Sequence, residues 1–230
     1  QLMIATTNAR YRFYKDPNSK DQLNQLLTED ILDYYSNAVS RNSIVDMNDF
    51  LDNGLGSTTH VSIIDRMGNA SSITTTNGES SGHIIPGTGV ILNNMLGEQD
   101  LNPLGFHNWV DKKRMPTLIS PSIIIDKNGE VQLTVGSAGS NRIRSAVTQV
   151  MMNYLIKKMN LRDAVNAPRL HLENSDLYVE PEIKIDCLGD LGSLSINKFK
   201  DLNLFFGGVN AVSKNEAVSD PRRGGFSIEC

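Results

Sequence analysis

At Thr58 the hydrophobic pattern of this chain changes period, and that change limits the fold more than any other feature. Ahead of it, over residues 19–39, Leu23, Leu26, Leu27, Ile31, Leu32, Tyr34, Tyr35, Ala38 and Val39 recur at helical spacing. Ser19 follows Asp16-Pro17-Asn18 as the N-cap of that predicted helix. Ile44, Met47, Phe50 and Leu51 predict a second short helix, and Asn53-Gly54-Leu55-Gly56-Ser57 a flexible approach. From Thr58 onward Val61 and Ile63 alternate with His60, Ser62 and Ile64. Arg66-Met67-Gly68-Asn69 turns the chain, and Ala70-Ser71-Ser72-Ile73-Thr74-Thr75-Thr76 returns as the partner strand. A hairpin of this kind brings Thr58 and Thr76 side by side.

The same reading extends downstream. Residues 77–89, rich in Gly, Ser and Asn and holding Pro86-Gly87-Thr88-Gly89, read as a functional loop or a linker. Ser122-Ile123-Ile124-Ile125 and Val131-Gln132-Leu133-Thr134-Val135 flank Asp126-Lys127-Asn128-Gly129, whose Asn-Gly favours positive φ, and predict a second hairpin. It runs into Gly136-Ser137-Ala138-Gly139-Ser140-Asn141-Arg142 and then Ile143, Ala146, Val147, Val150, Met151, Tyr154 and Leu155 at helical spacing: a strand, a tight turn, then a helix N-terminus. Asn210-Ala211-Val212-Ser213 and Glu216-Ala217-Val218-Ser219 close the chain as a strand pair around Lys214-Asn215. Hairpins on both sides of a helix-bearing middle, with helix in front, predict an α+β layered sandwich.

Composition removes several functions. A net charge of −4 with the signs interspersed leaves no basic stripe for nucleic acid. Cys187 and Cys230 lie far apart without His or Cys at metal-ligand spacing, which argues against a disulfide framework and a structural zinc. No apolar run has the length of a membrane span, and Gln1-Leu2-Met3-Ile4 lacks the basic region and cleavage site of a secretory leader. A first residue Gln suggests that the natural chain starts earlier, so localisation, whether periplasmic, extracellular or cytoplasmic, stays open. His60, His83, His107 and His171 are scattered and read as structural or surface residues; Arg114, after Lys112-Lys113, reads as a solvated face. Asp220-Pro221-Arg222-Arg223 reads as a salt-bridged turn.

A threonine hydroxyl becomes a useful nucleophile only beside a base, and an α-amine on the same residue supplies one if the chain is cut before it. Thr58 is such a residue by position, and backbone N–H groups at the Gly139-Ser140 turn, ahead of a helix, are candidate donors to a developing oxyanion. The alternative for that turn is simple packing between strand and helix.

With these residues Thr58-Thr59-His60, Asp65, Gly68-Asn69, Thr74-Thr75-Thr76, Pro86-Gly87-Thr88-Gly89-Val90 and Leu92-Asn93-Asn94 fall in register. So do Gly136 to Ile143, Asn166-Ala167-Pro168-Arg169 and Ser219-Asp220-Pro221-Arg222. In order and spacing they resemble the γ-glutamyltransferase small subunit from Thr58 to Arg223. Residues 1–57 then resemble the tail of that family's large subunit, and residues 58–230 the catalytic subunit.

The resemblance implies an N-terminal-nucleophile hydrolase with an αββα four-layer sandwich, made as a precursor that cleaves itself between Ser57 and Thr58. It implies no metal or organic cofactor. The implied partners are a glutathione-like γ-glutamyl substrate, a water or amine acceptor, and the large-subunit portion of the same precursor. By position Thr58 matches the nucleophile, Thr76 its hydrogen-bonding threonine, and Gly139 and Ser140 the oxyanion positions, usually Gly-Gly. Serine is acceptable there provided φ is not strongly positive. Glu98 matches an aspartate that pairs with the substrate α-amine, and Asn77 or Gly78 lies near the asparagine that holds the same end. Met95 stands where Gln or Glu is common. Thr117-Leu118 replaces the Ser-Ser pair that grips the substrate carboxylate, leaving Thr117 as its hydroxyl donor, and the family's carboxylate-clamping arginine belongs to the large subunit. A relative acting on another amide, such as poly-γ-glutamate or an acylated β-lactam side chain, and a silent family scaffold both stay open.

Overall fold

The computed structural model describes residues 1–14, 27–41, 57–102, 105–109, 112, 114, 115, 117–188 and 191–229. Two helices, α1 (Leu2–Tyr14) and α2 (Glu29–Ser40), precede the hairpin β1 (Thr58–Ile64) and β2 (Ala70–Thr76). Next come β3 (Ser122–Ile125), β4 (Val131–Ala138), α3 (Arg142–Met151) and α4 (Leu161–Asn166). The chain closes with β5 (Leu170–Glu173), β6 (Asp176–Val179), β7 (Ser195–Lys198), β8 (Gly208–Ser213) and β9 (Ala217–Val218). Front helix α2 opens at Glu29 behind Thr28, inside the segment where periodicity predicts helix. Ser19 and the predicted second helix at Ile44–Leu51 lie outside the described residues. Helix α1 has no counterpart in the sequence reading, because Leu2, Ile4 and Ala5 sit among Thr6, Thr7 and Asn8 without a continuous apolar stripe. Contacts made elsewhere hold it: Ala5 is buried, and Arg144 of α3 donates from Nη1 to Thr7 Oγ1 at 3.2 Å.

Both predicted hairpins form, and by one device. Asp65 Oδ1 accepts from the N–H groups of Met67 and Asn69, and Asp126 Oδ1 from those of Asn128 and Glu130. In each turn the following glycine takes positive φ, +84° at both Gly68 and Gly129. Only glycine reaches that region without strain, which is why Asp-x-x-Gly punctuates both hairpins. The β1–β2 register pairs Thr58 with Thr76 and His60 with Thr74.

The main sheet runs β3-β4-β8-β9, all antiparallel. One face carries α3 and α4, and the core there is Leu133, Val135, Ile143, Val147, Val150, Leu161, Val165 and Val209. Burial at these positions, at roughly 25 cal/mol per Å² of apolar surface, is the main force joining helices to sheet. Against the other face lies the β1–β2 hairpin. The result is an α+β fold of N-terminal-nucleophile hydrolase type, with helix, sheet and second sheet stacked in that order. Strands β5, β6 and β7 form a separate small sheet that the sequence patterns missed, since each is only four residues long.

The hairpin reverses the usual rule for a half-buried strand. Its inward stripe is mostly polar, with His60 buried and Thr58, Ser62 and Ile64 partly so, while Val61 and Ile63 on β1 and Ile73 on β2 are about half exposed. Polar contacts replace apolar ones between the sheets: Asn210 Nδ2 donates to His60 O at 2.8 Å, and Ser62 and Ser72 hydroxyls reach Asn210 O and Val135 O, each at 3.3 Å.

Candidate active site

Thr58 begins β1 and Thr76 ends β2, so antiparallel pairing alone sets their hydroxyls together, Oγ1 to Oγ1 at 2.9 Å. The Gly78 N–H donates to Thr76 Oγ1 at 2.9 Å and anchors that side chain from behind. Ser57, the residue before Thr58, is tied to the same loop: its N–H and Oγ both donate to Gly78 O, and its carbonyl accepts from the Asn77 N–H at 3.2 Å. The predicted functional loop folds back rather than wandering. Asn94 N donates to Asn77 O and Gly78 bridges to Asn94, which returns the turn Met95–Gly97 to the head of the hairpin. Gly78 has φ +61°, and a Cβ there would lie 2.7 Å from Glu98 Oε1 and 2.9 Å from Met95 N. Asn77, Gly78, Met95 and Glu98 are therefore gathered beside Thr76. Asn102 fixes Glu98 by donating from Nδ2 to the carbonyls of Leu96 and Glu98.

Gly139 and Ser140 form the turn between β4 and α3. Arg142 N donates to Gly139 O and Ile143 N to Ser140 O, whereas among the described residues neither the Gly139 nor the Ser140 N–H has an acceptor. Those two donors are the chemical resource of the turn. Gly139 has φ +134°, and a Cβ there would lie 2.7 Å from Gly207 Cα, so the turn is pressed on Gly207. Ser140 has φ +51°, inside the left-handed region. The proviso attached to serine at this position is not met, and the backbone carries strain of about 1 kcal/mol for it.

The packing direction places this turn at the same end as Thr58. Ser62 pairs with Ser72, which donates to Val135 O, while His60 stands on Gly136. Passing from Ser62 through His60 to Thr58 thus runs along β4 from Val135 through Gly136 toward Gly139. Thr117 lies on the segment ahead of β3. It is exposed, and its Oγ1 accepts from its neighbour Ile119 N at 3.2 Å.

Residues that sequence reasoning did not assign a role support the turn. Asn141 donates from Nδ2 to Glu173 Oε1 at 2.7 Å, Glu173 Oε2 lies 3.7 Å from His171 Nε2, and His171 Nδ1 meets Ser145 Oγ at 2.7 Å. Burial is the main cause that lowers the His171 pKa, and its partners hold the Glu173 carboxyl low despite burial. A second buried set joins the Asn166-to-Arg169 and Asp220-to-Arg222 motifs. Arg169 pairs with Asp220 at 2.6 Å, and Arg222 with Glu180 at 2.5 Å and Asp220 at 3.2 Å. Asp220 Oδ2 also accepts from the Val209 N–H. The predicted salt-bridged turn is thus a core element that holds the start of β8, and with it Gly207, behind Gly139. Its four charged partners lie far apart in sequence, so only the Asp220-Arg222 portion was legible beforehand.

His60 is buried, and burial lowers its pKa to about 4, so the ring is neutral near pH 7. Among the described residues no group of three or more His, Cys, Asp or Glu could hold a metal ion. No helix of the described residues is long and apolar enough to cross a membrane.

Residues 2–230 match the family model described as gamma-glutamyltranspeptidase. The chain belongs to this family. Among curated relatives it is 34% identical over 176 residues to the capsule biosynthesis protein CapD proenzyme of Bacillus anthracis, covering 74% of this chain and 33% of the relative. It is 33% identical over 182 residues to the glutathione hydrolase proenzyme of Bacillus subtilis strain 168, covering 75% and 31%. The chain thus spans about a third of the length of these relatives. Of solved structures, gamma-glutamyltranspeptidase from Pseudomonas nitroreducens complexed with L-DON superposes with a TM-score of 0.62 at 26% identity, covering 75% of this chain and 99% of the solved one. The Bacillus anthracis transpeptidase enzyme CapD superposes at 0.57 with 30% identity, covering 75% and 99%.

Proposed function

We propose that this chain is the catalytic part of a self-cleaving γ-glutamyl transfer enzyme, with Thr58 as nucleophile and residues 1–57 as the tail of the large subunit. The observation that carries the reading is the Thr58–Thr76 hydroxyl pair at 2.9 Å, at the head of a strand and directly after Ser57. The extent of the structural matches supports the boundary: three quarters of this chain, the share made up by residues 58–230, corresponds to nearly the whole of the solved chains.

In maturation Thr58 Oγ attacks the Ser57 carbonyl carbon. The peptide C–N bond breaks, an ester forms and the amine of Thr58 takes the proton. Water then hydrolyses the ester, leaving the Ser57 carboxylate and a free Thr58 hydroxyl. The Asn77 N–H, already on the Ser57 carbonyl, polarises it. In turnover the Thr58 amine accepts the hydroxyl proton as Oγ attacks the γ-carbonyl of a glutathione-like amide. The Gly139 and Ser140 N–H groups receive the oxyanion, and the departing amine takes the proton. Water or an amino-acid or peptide amine then attacks the acyl-threonine and restores the hydroxyl. Thr76 orients the nucleophile, while Glu98 and the Asn77 region receive the substrate α-amine. Thr117 is a donor to its carboxylate once the rest of the precursor completes the pocket.

A second substrate class is favoured by the exposed position of Thr117, by Leu118 beside it, and by the similarity to CapD. The acyl group transferred is then part of a larger amide-linked polymer. Glutathione-like γ-glutamyl amides that protect Thr58 from covalent labelling support the first substrate; failure to protect, with labelling intact, supports the second.

The deciding measurement is intact mass of the full-length protein with Thr58→Ala alongside. Two fragments meeting between Ser57 and Thr58 are expected from the native protein and a single chain from the variant, with amide turnover lowered by at least about a thousandfold. Cleavage or turnover that survives Thr58→Ala overturns the reading.

A further inference from the structure

The motif Thr58-Thr59-His60 places a histidine two residues from the proposed nucleophile, yet no step above uses it. His60 is wedged between the two sheets, with its imidazole directly over the Cα of Gly136. A Cβ built on Gly136 would lie 2.3 Å from Cε1, 2.4 Å from Nδ1 and 2.8 Å from Nε2 of the ring. Gly136 has an ordinary φ, so its lack of a side chain serves this contact and not a turn.

The ring cannot swing aside. Nδ1 meets Thr74 Oγ1 at 2.7 Å and Nε2 meets Ser62 Oγ at 2.8 Å. Ser62 spends its one proton on Asn210 O, so it accepts from Nε2–H, and Nδ1 accepts from Thr74. Asn210 pairs with Gly136 in the sheet and donates back to His60 O, which closes the clasp from the far side. Both ends of it lie close to chemistry: His60 is two residues from Thr58 on β1, and Gly136 three residues from Gly139 on β4.

Resting on the reading of Thr58 as nucleophile, we propose that His60 and Gly136 form a positioning lock, which sets the separation and register between the nucleophile strand and the oxyanion turn. Neither is a catalytic residue. A side chain at 136 must lift β1 off β4 by about 1 Å to restore ordinary contact distances, and a misplacement of that size can cost about 100-fold in rate.

The test is a double-mutant cycle in the full-length protein with Gly136→Ala, His60→Ala and both together, reading melting temperature, extent of self-cleavage, kcat and KM for a γ-glutamyl amide. In the native background Gly136→Ala lowers kcat about 100-fold with KM changed less than about threefold, at temperatures well below its melting point. In the His60→Ala background, where the space over residue 136 is open, the same change costs less than about threefold and no longer lowers the melting temperature. An equal cost of Gly136→Ala in both backgrounds overturns the lock, as does a Gly136→Ala protein with native kcat. If Gly136→Ala alone does not fold, the double variant decides: recovery supports the lock, and failure to recover overturns it. A native protein that neither cleaves nor turns over amides removes the nucleophile reading and this role with it. Loss of coupling in a protein that does both removes the lock alone.

Discussion

The hairpins β1–β2 and β3–β4 are built on the same local plan and end in opposite circumstances. Each turns on an aspartate that caps two backbone N–H groups and a glycine at φ +84°. Yet β4 is enclosed on both faces, with Leu133, Thr134, Val135 and Ser137 all nearly inaccessible, while β1 buries a polar stripe and shows Val61 and Ile63 to solvent. Turn chemistry therefore makes the hairpin, and the neighbours decide what it is for. One supplies the core and leads into the Gly139-Ser140 turn; the other presents two threonines and leaves an apolar face of the kind that marks an interface.

That contrast can be broken most sharply by truncation. Leu133→Ala on β4 should cost about 3 kcal/mol in urea unfolding of the chain, and Ile63→Ala on the exposed face of β1 less than about 1 kcal/mol. Equal costs would mean that the β1 face is covered in solution. An effect of similar size is expected from pH. The unfolded imidazole titrates at 6.5 and that of His60 near 4, so between those values the unfolded chain holds more protons. The stabilisation is complete above pH 6.5 and fades as pH falls toward 4, by about 3 kcal/mol. Urea unfolding across that window should show a steeper slope in the native chain than in His60→Asn, the difference being the His60 share, since buried His171, also held low, contributes equally to both.

Replacing the turn glycines tests the shared half of the comparison. Nothing lies within 4 Å of a Cβ at Gly68 or Gly129, so Gly68→Ala and Gly129→Ala should each cost only the strain of positive φ, about 1 kcal/mol, and cost it equally. A large difference in their unfolding midpoints would show that the two turns are not equivalent. Smallest is Ser140→Gly, which relieves the strain at φ +51° and should raise stability by less than about 1 kcal/mol while leaving self-cleavage intact. Loss of cleavage would give the Ser140 side chain a part that its backbone geometry does not require.

Much of this was written locally. Period-two alternation and the turns Arg66-Met67-Gly68-Asn69 and Asp126-Lys127-Asn128-Gly129 located both hairpins, helical spacing located α3, and antiparallel pairing alone set Thr58 beside Thr76. Gly139 and Ser140 were legible because a strand, a small-residue turn and a helix follow one another in sequence. Thr117 was carried by position in a motif, and the structure leaves it exposed on its own loop. Helix α1 and the strands β5 to β7 escaped, since their stability comes from contacts with distant segments and their own stretches are short or without an apolar stripe.

What the sequence by itself determined is the set of local events, where backbone propensity, turn chemistry and hydrophobic period act over a few residues. Only the tertiary structure decided which stripe of β1 faces inward, that His60 rests on Gly136, and that Arg169, Glu180, Asp220 and Arg222 share one buried cluster behind the Gly139-Ser140 turn. The physical reason is the range of the forces. A turn or a strand is set by neighbours along the chain, whereas shape fit and charge pairing depend on groups tens of residues apart that meet only when the sheets close.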